Sequence, residues 1–394
     1  MKPAPIILVA SNFPPMNGGI SRYLYQIVRF FPSDLVRVIA LPTPGWRDFD
    51  STHDLNIRRL NLPLNWGLTY TRAKYLSPFY FRELLREREA EIILCGQAYH
   101  SLMLPAWLVQ KLRGKSFGVF THGLDLLKPQ RRGYRWVFNK FLESANIVFA
   151  NSRTTARAGQ NLGVKQQKIH VVHPSVDPGN LESLVTPIEI RSRHGLDGKK
   201  CILSVGRLVE RKGFETVILS LPIILKEVPK AHYLIVGNGP LEDHLISMVV
   251  KLGLEEHVTF AGYVPDEELG AYYLVGDIFA MISREIPDKG DLEGFGIVYL
   301  EANLMGKPVV AGRSGGVEDA VLHEETGFLV DPNCIEEVAH GIIKLLTNPE
   351  LAKKLGENGR ERVLRDFNGR VAANKVLDVL NNNILYPGYL SEIL

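Results

Sequence analysis

The 394-residue chain carries 46 Lys and Arg against 43 Asp and Glu, a net charge of only +3, with 45% hydrophobic and 23% charged residues. These are the proportions of a globular protein with room for two domains, each with its own core, and they exclude fibrous and low-complexity classes. Three scattered cysteines (Cys95, Cys201, Cys334) lack metal-ligand spacing and suit a reducing compartment, and no apolar run approaches the ~20 residues of a membrane span.

The charge is unevenly placed. Residues 1–180 hold 24 Lys and Arg against 11 Asp and Glu, and residues 181–394 hold 22 against 32. The two halves therefore present opposite long-range fields and suit different partners. Pro3 and Pro5 interrupt the N-terminus, and the apolar run behind them is too short for a secretory signal, so a cytoplasmic location is expected.

In chain order, residues 5–11 read as a strand, followed by a loop with Gly18 and Gly19 and a helix over 20–31. Strand, glycine loop and helix N-terminus form a phosphate cradle or simply a structural turn; the glycines spell neither a P-loop nor a dinucleotide fingerprint. A strand at 36–41 leads to a loop holding Asp48-Phe49-Asp50. No strand delivers that Asp-x-Asp, so it reads as a solvated loop, not a metal site. A helix at 78–89, a strand at 91–95, a helix at 102–113 and a strand at 116–120 follow. That last strand ends in Thr121-His122-Gly123-Leu124-Asp125. Open α/β sheets bind ligands at the carboxyl ends of their strands, where His122 would sit, though a histidine there can also be a simple cap. A helix at 133–143, strands at 147–150 and 169–172 and a helix at 154–162 complete the first half.

A proline-rich exit at 173–178 and a polar stretch to about 198 read as a linker. The pattern then restarts. A strand at 201–205 ends in Gly206-Arg207, with Lys212-Gly213 beyond it, and a helix spans 214–226. After the strand at 232–236, Gly237-Asn238-Gly239-Pro240 fails the dinucleotide fingerprint, because Glu242 stands where Gly or Ala is needed. A helix at 241–252, a strand at 258–261 ending near Tyr263 and Val264, and a strand at 278–282 delivering Arg284 come next. Strands at 308–311 and 328–330 and helices at 335–346 and 349–367 close the pattern. Repeated β-α units on both sides of a linker imply two doubly wound parallel-sheet α/β domains with a cleft between.

One stretch organises the second half. Glu293 and Glu301 bracket a glycine turn (Gly294, Gly296) and an apolar run that reads as a buried helix ending at Gly306. Eight residues of helix would separate the carboxylates by roughly 12 Å, more than the pair of a glycosidase. Taken alone they read as a chance pair of solvated glutamates beside a core helix; taken with the rest of the chain they suit the two ends of one long ligand with its phosphates at the helix start, which describes a nucleotide-sugar.

In this order, Gly18-Gly19, Thr121-His122-Gly123, Gly206-Arg207, Lys212-Gly213, the Glu293–Glu301 stretch and Ser314-Gly315-Gly316 resemble glycosyltransferase family 4. These are retaining, nucleotide-sugar-dependent enzymes of GT-B fold, with two Rossmann-like domains facing across a cleft. Asn12-Phe13-Pro14-Pro15 and the loop 284–291 look most like the phosphatidylinositol mannosyltransferases. The resemblance implies an acceptor domain at 1–178, a linker at 179–198, a donor domain at 199–367 and a segment 368–394 returning toward the first domain. It implies that Arg207 and Lys212 hold the diphosphate, met by the backbone of Gly18 and Gly19, with Gly206 beside them. Glu301 would hold the ribose and Glu293 the donor sugar, and Phe295, Gly296 and Ile297 would offer backbone N–H groups. His122 would sit beside the anomeric carbon, and Tyr263, Val264 and Arg284 near the base. Asp125 stands where others carry Glu, and the acidic position after the double glycine falls at Glu318 or Asp319.

The expected reaction is metal- and cofactor-independent transfer of a hexose, mannose from GDP-mannose first and glucose from UDP second, to a lipid-linked or glycan acceptor. A nucleotide-sugar epimerase, a phosphorylase and an inactive nucleotide-sugar-binding subunit are the alternatives. The basic first half interleaves Arg72, Lys74, Arg82, Arg86, Arg88, Lys111, Arg113, Lys115, Lys128, Arg131, Arg132 and Arg135 with Phe79, Tyr80, Phe81, Tyr134, Trp136 and Phe138. That mixture suits an anionic membrane surface, or a solvated basic face over core aromatics; no motif supports nucleic acid.

Overall fold

The short apolar runs become two all-parallel sheets in a computed structural model, which describes residues 5–64, 75–127 and 132–384. Sheets covered on both faces need no polar alternation, so their strands carry near-continuous Ile, Leu and Val. The chain divides into one unit of residues 1–175 and 369–394 and another of 176–368.

In the first unit, β1 (Ile6–Ala10), β2 (Val36–Ala40), β3 (Ile57–Arg59), β4 (Ile92–Cys95), β5 (Ser116–Thr121), β6 (Ile147–Ala150) and β7 (Ile169–Val171) lie in the order β3-β2-β1-β4-β5-β6-β7. The order reverses between β1 and β4, so the loops leaving their carboxyl ends diverge there. Helices Gly19–Val28 and Gly369–Asn383 cover one face through Leu24, Ile27, Val376 and Leu380. Helices Ser77–Arg86, His100–Arg113 and Arg132–Ser144 cover the other through Tyr80, Leu102 and Phe138.

The Asp48-Phe49-Asp50 stretch is not the solvated loop its composition suggests. It lies in the helix Trp46–Thr52, and the buried Arg59 guanidinium grips Asp50 at 2.6 and 3.0 Å. Arg59 also donates to the carbonyls of Pro14 (2.7 Å) and Leu41 (3.1 Å), fastening the loop that leads to Gly18.

The second unit holds β8 (Lys200–Val205), β9 (Ala231–Val236), β10 (Val258–Gly262), β11 (Ile278–Met281), β12 (Val309–Gly312) and β13 (Gly327–Val330) in the order β10-β9-β8-β11-β12-β13. Its reversal lies between β8 and β11. Residues 179–198, read from sequence as a linker, carry the helix Pro187–Arg193, whose Ile190 is buried in this unit's core. Its start is a reciprocal cap: the Thr186 hydroxyl accepts from the Glu189 N–H, and the Glu189 carboxylate accepts from the Thr186 N–H.

His232 on β9 is a buried, uncharged imidazole. Lys199 can only donate, so it donates to Nδ1 at 3.2 Å, and Nε2–H donates to the Thr259 hydroxyl at 2.8 Å. Burial, then the charges of Lys199 and His257, pushes its pKa down to about 4. The unfolded chain, with an ordinary histidine near 6.5, binds the proton more readily, so stability is lost as pH falls from about 6.5 toward 4, at up to ~1.4 kcal/mol per pH unit. The melting temperature of the wild type should therefore fall more steeply over that range than that of His232→Gln. Parallel curves would remove His232 from the acid response.

Candidate active site

In the second unit, β8 runs out at Gly206-Arg207 and β11 at Ser283-Arg284, on either side of the reversal. The turn Glu210–Lys212 and Gly213 then lead into the helix Phe214–Glu227. Gly213 has φ +68°, and a Cβ there would lie 1.9 Å from the Ile282 carbonyl oxygen. Glycine alone allows this turn to press against the end of β11. The Arg284 N–H fixes the same turn by donating to the Arg211 carbonyl at 2.8 Å.

Glu293 comes from the opposite direction, ahead of the helix Ile297–Leu304. Its backbone is held by the double glycine. The Gly316 N–H donates to the Glu293 carbonyl at 2.8 Å, and a Cβ on Gly315 (φ +57°) would lie 2.4 Å from that oxygen. Lys212 Nζ and Glu293 Oε2 then meet at 2.6 Å, with side chains 10% and 11% exposed. The contact is one of charge at close range, since Oε2 lacks a well-directed hydrogen bond. Burial alone would push the Glu293 carboxyl up, but the Lys212 and Arg211 cations and the Lys212 contact together outweigh it and hold the pKa below the ordinary value. The site thus sets Lys212, just before the helix Phe214–Glu227, against the buried carboxylate of Glu293, just before the helix Ile297–Leu304. Leading N–H groups of a helix have no partner within it, so the start at Gly296 and Ile297 favours an anion.

Glu301 lies on the buried face of the same helix, where the Tyr273 hydroxyl donates to its Oε2 at 2.6 Å. Arg207 is exposed, as is Tyr263, while Val264 is buried. Phe295 is a core residue, 5.9 Å between ring centroids from Phe367. Arg284 pairs with Glu215, which also meets His244 Nε2 at 3.0 Å. Glu318 is exposed and Asp319 buried; Arg362 donates to the carbonyls of Asp319 and Ala320 at 2.8 and 2.7 Å.

In the first unit, Gly18 and Gly19 are exposed at the start of the helix Gly19–Val28, beyond the carboxyl end of β1. The Ser11 N–H donates to Gln97 Oε1 at 3.2 Å, joining the loops after β1 and β4 across the reversal. His122 follows β5. Its Nε2 donates to the Gly96 carbonyl at 2.8 Å, and its ring stands edge-on to Tyr23 at 5.4 Å. Burial lowers its pKa, against the upward pull of Asp125 and the Gly96 carbonyl. The neutral imidazole with its proton on Nε2 leaves Nδ1 as a hydrogen-bond acceptor.

The structure therefore brings Lys212 into contact with Glu293 and places Glu301 on the helix that follows Glu293. It also adds residues that sequence reasoning missed or left without a role. Gln97 stands two residues past β4, a strand-end position that could have singled it out. Tyr273, Glu215 and His244 carried no local signal, because each joins its partner across at least 28 residues.

Two family descriptions match: "Glycosyltransferase Family 4" over residues 17–180 and "Glycosyl transferases group 1" over residues 188–362. Over 382 residues the chain is 30% identical to a Mycobacterium tuberculosis protein named GDP-mannose-dependent alpha-(1-6)-phosphatidylinositol monomannoside mannosyltransferase, covering 96% of this chain and 98% of that one. A Corynebacterium glutamicum mannosyltransferase named for the monoacylated form of that acceptor is 26% identical over 95% of this chain and 97% of its own. Among solved structures, Anabaena HepE in complex with UDP and glucose superposes with a TM-score of 0.78 at 21% identity (96% and 99% covered), and WaaG, a glycosyltransferase involved in lipopolysaccharide biosynthesis, with 0.68 at 17% (95% and 99%). These last two likenesses are of fold.

Proposed function

Because the chain belongs to glycosyltransferase family 4 and is a glycosyltransferase, we propose that it moves mannose from GDP-mannose, with retention, to an inositol-phospholipid acceptor. One observation carries this reading: identity with GDP-mannose-dependent mannosyltransferases runs along 96% of the chain. The buried Lys212–Glu293 pair supports it.

Breaking the bond between C1 of mannose and the diphosphate puts negative charge on the departing oxygen. Lys212, Arg207 and the N–H groups at Gly296 and Ile297 are the groups to take it up, and they act more strongly on the transition state than on the ground state. The departing phosphate oxygen accepts the acceptor hydroxyl's proton as the new C1–O bond forms on the same face. Glu293 orients the mannose hydroxyls, Glu301 the ribose, and Nδ1 of His122 accepts from a hydroxyl of the transferred sugar. The guanine lies toward Tyr263, Val264 and Arg284. Since side chains already supply the positive charge, and Asp50 is tied to Arg59, transfer should survive EDTA.

The test is a thermal-shift screen of GDP-, UDP- and ADP-sugars followed by transfer assays in EDTA. GDP-mannose should raise the melting temperature most and be consumed only with acceptor. Stabilisation by UDP-glucose alone would reassign the donor, donor turnover without acceptor would favour the epimerase, and rescue by Mg²⁺ would revive a metal.

No helix among the described residues is long and apolar enough to cross a membrane. Arg72, Lys74, Lys128 and Arg131 lie outside the described residues. Of the aromatics set among the basic residues, Tyr80 and Phe138 are core, Phe79 and Phe81 pack against it, and Arg82 and Arg86 pair with Glu83. Trp136 (65% exposed), Tyr134 and Arg135 remain on the surface of the helix Arg132–Ser144. We propose that this helix meets anionic lipid. Each cation near such a surface contributes about 1 kcal/mol, so cosedimentation with anionic liposomes should fall as salt rises and drop in Trp136→Ala. Equal binding to neutral liposomes, or none to either, would leave a soluble glycan as the better acceptor.

A further inference from the structure

Asp125 lies in the short helix Leu124–Leu127 that follows His122. The N–H groups of Leu126 and Leu127 donate to the Gly123 carbonyl at 3.0 and 3.1 Å. The Asp125 carboxylate joins two segments: Oδ1 reaches back to accept from the His122 N–H at 2.9 Å, and Oδ2 accepts from the Ala98 N–H at 3.1 Å. Ala98 belongs to the loop after β4, and so does Gly96, whose carbonyl takes the proton of His122 Nε2. A closed ring results. The His122 side chain is bound to one end of the 96–98 loop, and its main chain is bound, through Asp125, to the other.

We propose that Asp125 is a positioning residue for transfer, fixing His122 against the 96–98 loop so that Nδ1 is presented to the transferred sugar in one orientation. This rests on the role given to His122 above. A carboxylate suits the place because both of its oxygens accept. Asparagine has the same shape but only one acceptor, and its NH₂ would face a backbone N–H, leaving a partly buried donor without a partner. Gln97, between the two tied residues, carries the same constraint to the loop after β1 through the Ser11 N–H.

The test is a double-mutant cycle on the full-length enzyme with Asp125→Asn, His122→Ala and both, reading kcat, the affinity for GDP and the melting temperature. Asp125→Asn should lower kcat about 10- to 100-fold, the scale of one hydrogen bond to a charged group, with GDP affinity unchanged. Added to His122→Ala it should cost little more, because residues that act as one unit are not additive. An equal further loss in that background, or full turnover in Asp125→Asn, would overturn the proposal. So would full turnover in His122→Ala, since Asp125 would then have nothing to act through. Absence of transfer by the wild type would instead strike the functional reading itself. Should Asp125→Asn fail to fold, Asp125→Ser, which keeps one acceptor oxygen, runs the same cycle with the same outcomes.

Discussion

Alanine at Lys212 or at Arg207 is expected to lower turnover by about 100- to 1,000-fold, the cost of removing one preorganised charge from a developing anion. The two variants differ in every other respect, and the difference is diagnostic. Lys212 is buried against Glu293, so its loss strands a carboxylate with only the more distant charge of Arg211. A buried charge stripped of its partner destabilises the fold, and Lys212→Ala should melt at a lower temperature. Arg207 is exposed, and its removal should leave the melting temperature where it was. Single-turnover rates with saturating GDP-mannose, set beside melting curves, separate the two effects. Near-wild-type turnover in both variants would refute the diphosphate role. Loss in Lys212→Ala alone, tracking its stability, would leave Lys212 as a structural partner of Glu293.

Much of the fold could be read from the sequence because its signals are local. Apolar runs such as 92–95 or 201–205, punctuated by Gly and Pro, need no distant partner to be recognised. What escaped was made by distant residues. The helix Trp46–Thr52 has weak helix formers, and it is held by Arg59 on Asp50 and by Phe49 stacked on His53 at 3.9 Å. Strand β3 has three residues and no alternation; it exists because β2 offers it an edge. The helix Pro187–Arg193 is a different case, since Thr186-x-x-Glu189 is a visible capping box that the polar composition hid. The site follows the same rule. Glycines and Lys212 stood out beyond strand ends and the two glutamates around a buried helix, yet the Lys212–Glu293 contact spans 81 positions and no periodicity joins them. Asp125 was visible, but its link to Ala98, 27 residues upstream, was not.

That contact also sets the second large effect. Lys212 and Glu293 satisfy each other's charge. A bound nucleotide-sugar must exchange this one pair for two: the ammonium with phosphate oxygens, the carboxylate with sugar hydroxyls. GDP lacks the sugar, so it draws Lys212 away and offers Glu293 nothing in return. Glu293→Gln removes the competing charge at nearly constant shape. GDP should then bind more tightly than to the wild type, while GDP-mannose binds more weakly, and kcat/KM for transfer should fall about 100-fold, the scale of one hydrogen bond to a charged group. Calorimetric titration of the variant with each nucleotide reads both signs. Opposite movement of the two affinities requires that Glu293 meets the sugar and competes for Lys212. If both affinities weaken together, Glu293 serves only to hold Lys212 in place, and the sugar must be oriented by other groups.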